Sequence, residues 1–146
     1  MSVEQILQSK GRSVATVQSW ATVEQAVRRM AGPPRIGALA VCSDADGRLV
    51  GMLTERDVVA GIGSEGPGLL RRTVEEVMSR NVPTCSPGDS LTQLMAQMTR
   101  RRYRHVPVVV DGRLVGLVSI GDVVSHRLRE MELETGVLRD LYRAAH

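Results

Sequence analysis

Short apolar runs bounded by polar, glycine-bearing turns alternate along this chain with stretches whose apolar residues recur every three or four positions, and the whole alternation occurs twice. Val23, Ala26, Val27 and Met30 define one helical face, opened by Thr22 and Gln25 at the spacing of a capping box. Leu91, Leu94, Met95 and Met98 define its counterpart behind Ser90 and Gln93. Residues 36–41 and 106–110 are apolar, β-branched runs, and each leads through an Asp-Gly turn into a second run, 49–53 or 114–118. Each copy therefore contains a β-hairpin. Residues 14–17 and 82–85 supply a leading strand, and a second helix starts near Asp57 or Asp122. The pattern predicts an α+β fold of two β-α-β-β-α units.

The copies agree letter by letter at their centre. Asp46-Gly47-Arg48-Leu49-Val50-Gly51 recurs as Asp111-Gly112-Arg113-Leu114-Val115-Gly116, and Thr54, Asp57 and Val58-Val59 keep the same offset to Ser119, Asp122 and Val123-Val124. Upstream, Val3-Glu4-Gln5-Ile6-Leu7 aligns with Val74-Glu75-Glu76-Val77-Met78. A period this long marks a duplicated supersecondary unit rather than a solenoid. The expected division is residues 1–62 and 73–126 for the units, 63–72 for a linker and 127–146 for a C-terminal helix.

Gly61-Ile62-Gly63-Ser64-Glu65-Gly66 satisfies the GxGxxG spacing. A dinucleotide fingerprint must follow a strand and open a helix, whereas this one follows a helical segment and runs into Pro67-Gly68, so it is expected to be a flexible linker. Beyond residue 126, Val124, Leu128, Met131, Leu138 and Tyr142 continue as one apolar stripe that needs cover, within the chain or across a dimer.

Composition sharpens this picture. Units of about seventy residues bury too little surface to stand comfortably alone, so the halves must lean on each other. With no Phe in 146 residues the core has to be aliphatic. The net charge of +3 favours an anionic partner without choosing among nucleotide, nucleic acid and lipid headgroup. Cys42 and Cys85 lack CxxC spacing and read as structural. His126 and His146 stand apart from the repeated motifs, and no metal site is expected. No signal pattern opens the chain and no apolar run approaches the roughly 18 residues of a membrane span, which leads us to expect a cytoplasmic protein.

Both copies place a hydroxyl three residues before an aspartate at the exit of a hairpin strand: Thr54 with Asp57, and Ser119 with Asp122. One such pair could merely cap a helix. Two in identical phase suggest a ligand site, because a carboxylate can accept both vicinal ribose hydroxyls while the hydroxyl and the helix N-terminus approach phosphate.

At these residues, together with Ile36-Gly37-Ala38-Leu39 and Arg104-His105-Val106-Pro107-Val108-Val109, the chain resembles the tandem cystathionine-β-synthase (CBS) domain pair, or Bateman module, across nearly its whole length. It is most similar to the small stand-alone bacterial pairs. The resemblance implies two units packed through their sheets about a pseudo-twofold axis, a homodimer, and clefts that take AMP, ADP, ATP or sometimes NAD(H) or S-adenosylmethionine. It further implies that Asp57 and Asp122 hold ribose, that Thr54 and Ser119 contact ribose or phosphate, and that Ala38, Asn81 and Val106 line adenine. Arg104 and His105 precede the second hairpin strand where the first copy has Ile36 and Gly37, so the Ser119 and Asp122 cleft is expected to be the better phosphate site. The first must rely on Arg56 or on its neighbour.

Two other readings stay open. The run Arg100-Arg101-Arg102-Tyr103-Arg104 could bind nucleic acid, although one neighbouring aromatic is thin support. The C-terminal helix could make the chain a ligand-free dimerisation scaffold. No nucleophile and base stand at a recognisable spacing, so no enzyme is expected; a downstream protein partner is implied but not identified by any residue.

Overall fold

The computed structural model describes residues 1–43 and 46–145; His146, weighed above as a metal ligand, lies outside them. The first half runs α1 (Val3–Lys10), β1 (Thr16–Gln18), α2 (Val23–Ala31), β2 (Ala38–Cys42), β3 (Leu49–Thr54) and α3 (Glu55–Glu65). A 3-10 helix, Gly66–Arg71, leads to α4 (Val74–Val77), α5 (Leu91–Arg101), β4 (His105–Val110), β5 (Arg113–Ser119) and α6 (Ile120–Ala145).

The caps read from the sequence set the helix starts. Thr22 Oγ1 accepts from the Gln25 amide at 3.1 Å while Gln25 Oε1 accepts from the Thr22 amide at 3.0 Å. Ser90 Oγ accepts from the Gln93 amide at 3.1 Å. β1 pairs in parallel with β2, which pairs antiparallel with β3; β4 and β5 form a separate antiparallel ladder. The second copy's leading strand shrinks to one parallel bridge, in which the Cys85 amide donates to Pro107 O and Cys85 O accepts from the Val109 amide. Pro83 and Pro87, flanking this bridge, have no amide hydrogen to extend the ladder.

The identical hexapeptides meet each other. Asp111 and Gly112 both have positive φ, as a tight hairpin turn requires. Gly112 O accepts from the Leu49 amide at 3.2 Å, and Gly47 O from the Leu114 amide at 2.9 Å. One antiparallel bridge, Arg48 to Arg113, thus joins the two turns across the pseudo-twofold axis. Ala38, Ala40 and Met52 pack there against Val14, Leu49, Val82, Leu114 and Leu117, and the small alanines allow the sheets to approach.

The helices α1 and α4, absent from the predicted unit, are exchanged between the halves. Val3, Ile6 and Leu7 of α1 join the second hairpin's core with Leu94, Met98, Val106, Val108, Val118 and Val123. Val74 and Met78, in and just after α4, join the first core with Ala26, Met30, Leu39, Val41 and Leu53. The last glycine of each hexapeptide makes room for the visitor. A Cβ on Gly51 would stand 2.7 Å from Met78 Sδ and from Ser79 O, and one on Gly116 would stand 2.6 Å from Leu7 Cδ2.

The expected flexible linker is not one. Gly61 to Glu65 continue α3, and Leu69 of the following 3-10 helix is buried at 1% exposure. A Cβ on Gly61 would meet Leu69 Cδ2 at 2.6 Å, so this glycine serves close packing rather than mobility.

These contacts separate two similar substitutions. Gly51→Ala must displace backbone at Ser79 and should cost about 1–3 kcal/mol, while Gly116→Ala needs only the tip of Leu7 to turn and should cost less. Urea denaturation of both variants checks the order; equal losses would show that the exchanged helices are not held at these points.

Candidate functional site

Each hydroxyl and aspartate pair sits where a hairpin strand becomes a helix, and local backbone chemistry fixes the carboxylate. In the first crevice the Thr54 amide donates to Asp57 Oδ2 at 3.0 Å and the Asp57 amide donates to Thr54 Oγ1 at 3.3 Å. Thr54 Oγ1 also lies 3.1 Å from Asp57 Oδ2 as a donor. In the second crevice the Ser119 amide donates to Asp122 Oδ2 at 2.8 Å and the Asp122 amide to Ser119 Oγ at 3.1 Å. Capping therefore holds Oδ2 of each acid.

A second contact reaches each acid from beyond its own hairpin, out of the segment behind the exchanged helix. Ser79 Oγ, following α4, donates to Asp57 Oδ1 at 2.9 Å. Ser79 also forms a two-way backbone bridge with Met52, which brings residues 79–82 along the edge of β3. Lys10, at the end of α1, donates to Asp122 Oδ2 at 2.6 Å and to Leu117 O at 2.8 Å. Among the described residues, no hydrogen bond reaches Asp122 Oδ1. Burial alone would raise the Asp122 pKa, but the Lys10 ammonium and the Ser119 amide and hydroxyl outweigh it and hold the carboxyl below its ordinary range.

The strand register moves the expected correspondence by one residue. Ala38 pairs with Thr54 and His105 with Ser119, while Gly37 O and Arg104 O accept from the Glu55 and Ile120 amides. His105 is thus the counterpart of Ala38, and Arg104 of Gly37. Ala38 lies in the seam between the sheets, and His105 Cε1 stands 3.9 Å from where a Gly37 Cβ would be, so both flank the junction of the halves. Val106 does not. Alternation along β4 turns its side chain into the second core, where it is fully buried with Val108 and Val118, and the expectation that it lines a base is corrected accordingly. Asn81 is exposed with φ 51° on the segment beside β3, and Arg56 and Arg104 are exposed at the helix and strand starts.

Lys10 and Ser79 were not singled out from the sequence. The alignment of residues 3–7 with 74–78 was the available signal, since equivalent segments behind equivalent helices must reach equivalent crevices. A cavity of about 70 Å3 adjoins Asp122 between α1 and α6, lined also by Ser9, Lys10, Ser125, His126 and Arg129. Ligand pockets usually measure roughly 300–1,000 Å3, so this cavity as it stands is too small to hold a nucleotide. Arg100 and Arg101 form the basic last turn of α5, and Arg102 ends it in a left-handed conformation. Arg100 and Arg101 complement the negative end of the helix dipole. Both cysteines are buried, and burial, with Asp89 adding to it, pushes the Cys85 thiol up to about 12.

A duplicated α+β pair with a capped carboxylate at each of two related crevices defines a tandem-repeat α+β module. The chain belongs to the CBS-domain family, whose sequence model matches residues 11–64 and 74–129. It is 32% identical over 130 residues to the mitochondrial CBS domain-containing protein CBSX3 of Arabidopsis thaliana, covering 84% of this chain and 63% of that one. The chain thus spans less than two thirds of that relative's length. The crystal structure of the CBS-domain protein ATU1752 from Agrobacterium tumefaciens superposes with a TM-score of 0.79 at 40% identity, covering 86% of this chain and 92% of the other. The CBS domain pair of protein MJ0100, solved with 5'-methylthioadenosine and S-adenosyl-L-methionine, gives 0.74 at 26% identity, covering 90% and 98%. Among the described residues no helix is long and apolar enough to cross a membrane, and no three His, Cys, Asp or Glu cluster as metal ligands.

Two groups at this junction have shifted pKa values, His105 and Asp122. Burial lowers the His105 pKa below 6.5; Asp122 opposes the shift, Lys10 and Arg104 add to it, and Glu55 opposes it. The unfolded chain then takes up the proton first, so this residue's contribution is complete above about pH 6.5 and is lost as the pH falls toward the lowered value. The depressed Asp122 acts lower still, losing its contribution as the pH falls through its own lowered pKa. Urea midpoints measured between about pH 7.5 and pH 5 should fall for the native chain and fall less for His105→Gln. Identical slopes would remove His105 from this role.

Proposed function

We propose that the chain is a regulatory module, not an enzyme, that binds an adenosine-containing ligand at the crevices of Asp57 and Asp122. AMP is the first candidate, with ADP, ATP, NAD(H) and S-adenosylmethionine as alternatives. The observation that carries this reading is the Asp122 carboxylate, locked by the Ser119 amide through one oxygen while the other is left to accept a sugar diol. The ligands in the MJ0100 structure share the adenosine portion and support the choice. On this reading Thr54 and Ser119 approach ribose or phosphate, and Ala38, His105 and Asn81 flank the base. Lys10 turns from Asp122 Oδ2 to join Arg104 at the phosphate, and Arg56 serves the first crevice.

Because Lys10 and Ser79 come from segments that lead out of the exchanged helices, a ligand touching them would tie the two halves together. This suits a sensor that reports to a downstream protein. The module is proposed to act as a homodimer, which the exposed apolar stripe of α6 supports.

AMP at 100 times its dissociation constant should stabilise the fold by about 2.7 kcal/mol in a thermal or urea titration. Asp122→Asn, which keeps a side-chain oxygen for the Ser119 amide, should remove most of that gain. No shift with any of the five candidate ligands would sink the proposal, and an Asp122→Asn variant that binds as before would move the site elsewhere.

A further inference from the structure

We propose that α6 pairs with α6 of a second copy of this chain as a parallel two-stranded coiled coil. The inference rests on the homodimer of the reading above and specifies its geometry; it does not depend on which ligand binds. Val124, Leu128, Met131, Thr135, Leu138 and Tyr142 succeed one another at steps of four, three, four, three and four, the alternation of the two seam positions of a heptad repeat. The seam is uncovered in the single chain, with Val124 49%, Leu128 54%, Met131 50%, Leu138 67% and Tyr142 65% exposed. The helix packs on its own module through a different side, where Val123 is buried, Asp122 receives Lys10 and Arg129 donates to Ser9 Oγ at 3.0 Å. Its outer half carries Gly136, which lowers helix propensity, so packing against a partner helix stabilises it.

Charge beside the seam identifies that partner and its direction. Arg127 and Glu134 precede seam residues on one side, and Glu132 and Arg139 follow them on the other; all four are exposed. In a parallel pair, each residue of the first set faces the partner residue five positions further on. Arg127 then meets the partner's Glu132, and Glu134 meets the partner's Arg139, each contact occurring twice by symmetry. The antiparallel register that overlaps all six seam residues sets Glu132 against the partner's Glu132 and Glu134 against the partner's Glu134. Exposed pairs of this kind add little affinity but decide orientation, and the decision here is parallel.

The test uses the full chain without nucleotide. Light scattering should give twice the 15.9 kDa of one chain. Met131→Cys and Leu138→Cys should each form disulfide-linked dimers under mild oxidation, because like seam positions face one another only in the parallel arrangement. Leu133→Cys, on the far side of the helix and 71% exposed, should stay largely unlinked. Cys42 and Cys85 are buried and do not compete. A dimeric mass with linkage at neither or only one of positions 131 and 138, or with Leu133→Cys linking as readily, would keep the homodimer and overturn the parallel coiled coil. A single-chain mass would overturn both.

Discussion

Neither hydrophobic core in this chain is closed by its own half. Leu7 and its neighbours on α1 complete the second core, and Val74 with Met78 completes the first. Burying a leucine such as Leu7, 1% exposed, stabilises by about 1.5–3 kcal/mol, a large fraction of what a half of this size could muster alone. Exchange makes the two halves one cooperative object. It also explains why Gly51 and Gly116 end the repeated hexapeptide, since a side chain at either would occupy the place of the visiting helix.

The same exchange builds the crevices. A hairpin and the helix that follows it can cap and orient an aspartate, as Thr54 does for Asp57 and Ser119 for Asp122. The opposing wall then has to come from the segment leaving the exchanged helix, which is why Ser79 and Lys10 reach those acids. A crevice assembled this way is sensitive to the placement of one half against the other. Any molecule that bridges its two walls changes the free energy of that placement, which is the physical requirement for coupling between sites.

Much of this was legible in the sequence, for stated reasons. The hairpins, the Asp-Gly turns and the Thr22 and Ser90 caps are local, and each depends on residues within a few positions of one another. What escaped notice depends on distant contacts. Val74-Glu75-Glu76-Val77 forms too short a helix to show periodicity, so its partnership with the first core could not be read locally. Gly61 and Gly63 look mobile until both fall inside α3, with Leu69 packed against Gly61. Val106 and His105 differ by one strand position, and with a period of two, one position decides between core and junction.

At the two crevices the duplication is alike in its capping and unlike in its charge. Asp57 is met by the neutral hydroxyl of Ser79, Asp122 by the ammonium of Lys10, with Arg104 and His105 nearby. The short hydroxyl leaves the first acid a hydrogen bond without neutralising it, whereas the second acid is already balanced by a cation. Removing Lys10 from Asp122 leaves a carboxylate for a diol and frees an ammonium for an anion in the same movement. The two crevices are therefore chemically distinct, a difference that an exact repeat would lack.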